Sequence, residues 1–185
     1  YYTGFQVNSG EYKLMGLAPY GDPFSKRTEE FKRKTLETLI DLRPDGSMLL
    51  NMDYFQFMQS WSMTNERFHA LFGGPPRGED EPIEERHMDV ARSIQAVTEE
   101  VMLRLARHAR EITGEPNLCM AGGVALNCVA NRDLTRYFDN VWIMPNPGDA
   151  GSSLGAAALA LGIKIKELGD LQNKVKDFTS KYFCS

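Results

Sequence analysis

The stretch Pro116-Asn117-Leu118-Cys119-Met120-Ala121-Gly122-Gly123-Val124-Ala125-Leu126-Asn127 runs from a short apolar segment through a glycine pair into a helix start. The pattern recurs in Val141-Trp142-Ile143-Met144-Pro145-Asn146-Pro147-Gly148-Asp149-Ala150-Gly151-Ser152-Ser153. Two successive strand-to-helix turns, both glycine-rich, stand where an open α/β sheet binds a nucleotide. Glycine carries no side chain, so backbone N–H groups there can approach a phosphate or a purine closely.

Working outward, the chain reads as alternating helix and strand. From about Glu84 to Thr113, Ala91, Ile94, Val97 or Thr98, Val101, Leu105, Ala109 and Ile112 recur at three- and four-residue steps. Glu100–Arg104 and Arg107–Glu111 are i,i+4 pairs on the polar side. Gly114 and Pro116 end that helix. Strand 118–121, helix 124–136, strand 141–144 and helix 151–161 follow, an order that predicts parallel strands with right-handed crossovers. Gly162 is the expected cap of the last helix, and residues 163–185 read as a linker or docked tail.

Upstream, Leu14, Met15, Leu17 and Ala18 suit a short helix stopped by Pro19 and Gly21. Residues 22–82 read as a mainly helical insertion. In it Phe31, Leu36, Leu39 and Ile40 share a helix face, and Pro44-Asp45-Gly46-Ser47 is a turn before a short strand, Met48-Leu49-Leu50-Asn51. Tyr54 to Phe72 is dense in aromatics; it reads as a satellite core, with a lid or a partner surface anchored by Phe55, Phe57, Trp61 and Phe72 as the alternative.

Composition excludes several classes. The 185 residues are 42% hydrophobic and 25% charged, as in ordinary globular proteins. The net charge of −4 argues against non-specific nucleic-acid binding. No apolar run reaches the roughly 20 residues that span a bilayer, and no signal-peptide pattern is visible. The chain lacks an initiator Met and is read as an excised fragment. Three cysteines without a C-x-x-C pair fit a reducing cytoplasm, with Cys119 and Cys128 expected as small core residues. His69, His87 and His108 are too scattered for a local metal motif and are expected at surfaces or caps.

The chemistry-bearing residues each have a plainer role. Gly122 and Gly123 can sit between strand and helix for steric reasons alone. Asn127, one turn into the expected helix, offers an amide that suits a ribose hydroxyl or purine edge, and equally a cap. Asp149 faces the ligand crevice at a strand end; an N-cap is the alternative, but the flanking Gly148 and Gly151 favour a metal or phosphate role. Lys13 can neutralise a phosphate or simply be solvated. There is no P-loop motif and no nucleophile elbow.

Four motifs taken together resemble one family. They are Gly10-Glu11-Tyr12-Lys13-Leu14-Met15-Gly16-Leu17-Ala18-Pro19-Tyr20-Gly21, Ala91-Arg92-Ser93-Ile94-Gln95, Gly122 to Asn131, and Pro145 to Gly151. In this order they resemble the O-carbamoyltransferases of the NodU and antibiotic-tailoring type, over roughly residues 1–162. The resemblance implies an α/β fold, part of an actin/sugar-kinase-like (ASKHA, RNase H-like) lobe. It implies transfer of a carbamoyl group from carbamoyl adenylate, made from ATP and carbamoyl phosphate by a YrdC-like domain of the same protein. The acceptor would be a small-molecule hydroxyl, and a divalent metal (Fe, or Mg or Mn) would assist. Gly122, Gly123 and Asn127 match the family's adenosine-contacting turn, with Gly148 and Gly151 beside it. Asp149 matches its metal-binding aspartate, and Glu11 and Lys13 fall in a motif near the nucleotide.

Three departures stand out. The family's H-x-x-x-H metal pair does not occur in this sequence, and neither do the opening strands or the YrdC-like domain. The chain is therefore expected to be inactive in isolation, and its exposed strand edges would favour a homodimer. The competing readings are a tRNA threonylcarbamoyl transferase-like enzyme and a non-catalytic nucleotide-binding module on the same scaffold. Neither a membrane nor a nucleic-acid partner is expected.

Overall fold

The computed structural model describes residues 1–160. The expected tail at 163–185, the Gly162 cap and Cys184 lie outside the described residues. Helix α1 (Glu11–Leu17) passes into a 3-10 turn at Ala18–Tyr20, where Pro19 ends the regular helix as expected. Helix α2 (Lys26–Lys34) begins at Ser25, whose side chain accepts from the Thr28 N–H at 3.0 Å. Its last turn widens into a π-type turn, Thr35–Leu39, that delivers the chain into strand β1 (Ile40–Leu42). Ile40 therefore starts a strand instead of closing a helix face. Strand β2 (Met48–Leu50) pairs antiparallel with β1 through the Arg43–Ser47 turn. Helix α3 (Glu66–Leu71) follows, capped by Asn65.

The long helix α4 (Glu85–Thr113) bears out the strongest periodic signal, and Gly114 closes it in the left-handed conformation. Its buried face is shifted from the expected stripe. Val90, Ala91, Val97, Val101 and Ala106 are buried, whereas Leu105 and Ile112 are exposed. The Arg104–Glu100 and Arg107–Glu111 pairs form as expected.

Strands β3 (Asn117–Met120) and β4 (Asn140–Ile143) pair in a second two-stranded sheet. Asn140 N–H donates to Pro116 O and Met144 N–H to Met120 O, the same sequence offset at both ends, as parallel strands require. The single helix expected over 124–136 is three short pieces. These are a 3-10 turn at Gly123–Leu126, helix α5 (Cys128–Arg132) and a 3-10 turn at Asp133–Arg136. The break at Asn127 has a physical cause: its side chain caps a fresh helix, so the chain restarts there. Helix α6 (Gly151–Ala160) comes last among the described elements.

Contacts divide the chain into two units. The first comprises Tyr1–Leu118 and Asn127–Val141, and the second Cys119–Leu126 and the chain from Trp142. In the first, Tyr2, Phe31, Leu39, Phe72 and Val90 form the main core, with Tyr54, Phe55, Phe68 and Leu71 packed against it. Phe31 and Phe72 meet edge-to-face at 5.1 Å between centroids, and the Phe68 and Phe72 rings are tilted to each other at 4.8 Å. The aromatic segment is thus a core in its inner residues, while Trp61 is 98% exposed. Cys119 and Cys128 are both exposed, which corrects the expectation of buried thiols. Cys119 lies on the exposed side of a strand whose residues alternate in exposure, and Cys128 opens α5.

Candidate functional site

The two glycine turns belong to the second unit and are fixed to each other. Gly122 adopts φ +99°, and its N–H donates to the carbonyl of Pro147 at 2.7 Å. Pro147 is buried, so this bond anchors the loop Pro145–Asp149 from within. Asn146, at φ 59°, takes the left-handed conformation that asparagine tolerates better than most residues. Gly151 is required sterically: a Cβ there would collide with the Asn146 carbonyl oxygen. Gly123 and Gly148 face open space, so a small side chain would meet no protein atom at either position.

Asp149 is exposed at the turn before α6. The Ser152 hydroxyl donates to the Asp149 main-chain oxygen at 2.6 Å, and the Ser152 N–H donates to the same oxygen at 3.2 Å. The main-chain oxygen of Asp149 thus accepts the bonds from the first turn of α6, and its carboxylate is presented to solvent. Hard divalent ions take six or more oxygen ligands. Among the described residues no group of three or more His, Cys, Asp or Glu side chains gathers to hold a metal. Asp149 can supply one ligand, and the described residues do not make a complete site.

Asn127, Glu11 and Lys13 belong to the first unit. Asn127 is the N-cap of α5, not a residue one turn inside a helix: its Oδ1 accepts from the Ala130 N–H at 3.1 Å. Its carboxamide also pairs with Gln95 of α4, a partner that the sequence alone did not single out. The motif Ala91-Arg92-Ser93-Ile94-Gln95 was the available signal, since a glutamine among apolar helix positions asks for a buried partner. Glu11 and Lys13 are exposed on α1, and the Glu11 carboxylate accepts from the Asn8 N–H at 2.9 Å.

Comparison with known proteins decides the family. A model described as carbamoyltransferase N-terminus matches residues 1–158.

The chain belongs to the carbamoyltransferase N-terminus family.

Among its relatives in this family, the uncharacterized protein sll1178 of Synechocystis sp. is 54% identical over 85% of this chain and 25% of its own length. Nodulation protein NolO of Bradyrhizobium diazoefficiens is 34% identical over 80% of this chain and 24% of its own length. Nodulation protein U of the same organism is 43% identical over a shorter stretch, 35% of this chain and 12% of its own. The chain thus spans about a quarter of the length of the first two relatives. Resemblance to the NodU-type carbamoyltransferases, read from the four motifs, is borne out. No helix among the described residues is long and apolar enough to cross a membrane.

Proposed function

We propose that the protein of which this chain is part transfers a carbamoyl group from carbamoyl adenylate, made from ATP and carbamoyl phosphate, to a hydroxyl of a sugar or another small molecule. The acceptor oxygen attacks the carbamoyl carbon and the bond from that carbon to the phosphate oxygen breaks. AMP leaves with the bonding pair, and the hydroxyl proton passes to a base or solvent. Such a reaction asks a protein mainly to position two reactants and stabilise developing negative charge. Backbone N–H groups at Gly122–Gly123 and Gly148–Gly151 suit the nucleotide, and Asn127, Glu11 and Lys13 are carried over from the family resemblance. A divalent metal, with Asp149 as one ligand, would lower the pKa of the acceptor hydroxyl.

The observation that carries the reading is the Gly122–Pro147 bond, which holds two glycine turns together beside an exposed carboxylate in a chain of this family. A non-catalytic nucleotide-binding module accounts for the turns but gives the Asp149 carboxylate no task. A tRNA-directed relative is disfavoured by the net charge of −4.

The test uses the intact protein with ATP, carbamoyl phosphate and a divalent metal, following carbamoyl adenylate and its consumption. Asp149→Asn is expected to make the adenylate and fail to consume it. Failure of both proteins to make or bind the adenylate would favour the nucleotide-binding module. Residues 1–185 alone are expected to transfer no carbamoyl group, and turnover by them alone would refute that.

A further inference from the structure

Gln95 sits in the middle of α4 and is only 4% exposed. Its Nε2 donates to the Oδ1 of Asn127 at 3.2 Å and to the Oε1 of Glu99 at 3.1 Å, and its Oε1 accepts from the Nδ2 of Asn127 at 3.0 Å. The Oδ1 of Asn127 takes a second bond, from the Ala130 N–H at 3.1 Å.

The polarity of this network is set from both ends. A backbone N–H only donates, so Ala130 must face the Asn127 oxygen. An ionised carboxylate only accepts, so Glu99 must face the Gln95 nitrogen. Turning the Asn127 carboxamide over would set its amino group against the Ala130 N–H and its oxygen against the Gln95 oxygen, losing all three bonds it makes. Its oxygen already receives two donors, which fills both lone pairs. One of its two amino hydrogens goes to Gln95, and the other is the group's remaining directional contact.

We infer that Gln95 is a positioning residue that holds Asn127 with an N–H, and not a carbonyl, presented to the nucleotide. The inference rests on the reading of Asn127 as a nucleotide contact proposed above. A carboxamide so held selects an acceptor atom, such as a ribose oxygen or a purine ring nitrogen, and cannot accept from the exocyclic amine. Gln95 is buried, so no water readily replaces its bonds once they are lost. A carboxylate at position 95 would keep the acceptor for Asn127 Nδ2 and lose the donor for Asn127 Oδ1.

The test measures AMP binding to the intact protein by calorimetry. The variants are Asn127→Ala, Gln95→Met, Gln95→Glu and the double variant Asn127→Ala/Gln95→Met. Gln95→Met keeps the side-chain volume and deletes the hydrogen bonds. Asn127→Ala and Gln95→Met are each expected to weaken binding about tenfold, as loss of one well-placed hydrogen bond does. The double variant is expected to be no weaker than either single one, because the two side chains act as a unit.

Gln95→Glu provides a readout that a packing role would not move. Burial at this position and the adjacent Glu99 carboxylate both favour the neutral form of the introduced acid. At pH 5 that form supplies both a donor and an acceptor, and binding relative to wild type at that pH is expected within about twofold. At pH 8 the carboxylate faces Glu99 on α4 and Asn127 at the start of α5, with the Arg132 guanidinium on α5 in the field of Glu99. There the ratio is expected to fall about tenfold. Wild-type binding by Gln95→Met, with weakened binding by Asn127→Ala, would overturn this inference and leave the nucleotide reading intact. Wild-type binding by Asn127→Ala would overturn both. A Gln95→Glu ratio that does not change with pH would show that Gln95 serves packing alone.

Discussion

The N–H of Gly122 donates to the carbonyl of Pro147 at 2.7 Å, so the turn after β3 and the turn before α6 hold each other's backbone. Two glycines of these turns tolerate no side chain. Gly122 needs its positive φ, and Gly151 abuts the Asn146 carbonyl. Gly151→Ala is therefore expected to destabilise the protein by about 1–3 kcal/mol, the range for overpacking. Gly123→Ala, which meets open space, should stay within about 0.5 kcal/mol of wild type. Chemical denaturation of both variants checks the contrast. A loss of AMP affinity in the stable Gly123→Ala variant would report close approach of a ligand to that backbone.

Asp89 on α4 is 3% exposed, and its Oδ2 accepts from Arg27 Nε at 2.6 Å while its Oδ1 accepts from the Asp22 N–H at 3.2 Å. This carboxylate ties the start of α2 and the loop before it to α4. Arg27→Met would leave a buried carboxylate with one weaker bond. The expected cost is about 2 kcal/mol, since hydrogen bonds to charged groups are worth roughly 1.5–3 kcal/mol. Urea unfolding with a Glu85→Gln control separates the buried bond from the exposed Arg27–Glu85 pair, which should contribute less than about 1 kcal/mol.

His87 is buried, and burial holds its imidazole below the usual histidine range, with the neighbouring Arg86 guanidinium acting in the same direction. Its Nδ1 accepts from the Glu84 N–H at 3.0 Å, and Arg86 Nη2 stands 3.2 Å from its Nε2. The neutral ring accepts at Nδ1 and so carries its hydrogen on Nε2, and protonation would set a new N–H at Nδ1 against the Glu84 N–H. The folded state thus binds the proton less readily than the unfolded state. Its contribution to stability is present above the unfolded value of about 6.5 and is lost as pH falls below it. Unfolding free energies at pH 7.5, 6.5 and 5.5 should decline with acid by at most about 1.4 kcal/mol per unit from this group, and less steeply in His87→Gln.

Phe72→Ala should cost about 3–5 kcal/mol, because Phe72 is 2% exposed and touches Tyr2, Phe31 and Phe68. Trp61→Ser should leave the thermal midpoint unchanged. Equal destabilisation by both would mean that Trp61 is packed in solution.

Much of the architecture was legible in the chain. The three- and four-residue spacing from Ala91 to Val101 marked α4, and two apolar runs ending in glycine marked β3 and β4. The turn at Pro44-Asp45-Gly46-Ser47 marked the hairpin, though Ile40 fits a helix face as well as a strand start. An apolar residue in a short run satisfies either period. The restart at Asn127 was hidden because the same residue type serves a helix surface, a cap and a ligand contact.

By itself the sequence determined the family, through four motifs in order, and the backbone freedom its turns demand, because glycine and proline constrain φ locally. The tertiary structure decided which side chains are committed. The pairing of Gln95 with Asn127 across 32 positions, the bond from Gly122 to Pro147, and the exposure of Cys119 and Cys128 all depend on contacts between distant parts of the chain. Local pattern limits the conformations open to a segment, and only packing selects the partner that each polar group finds.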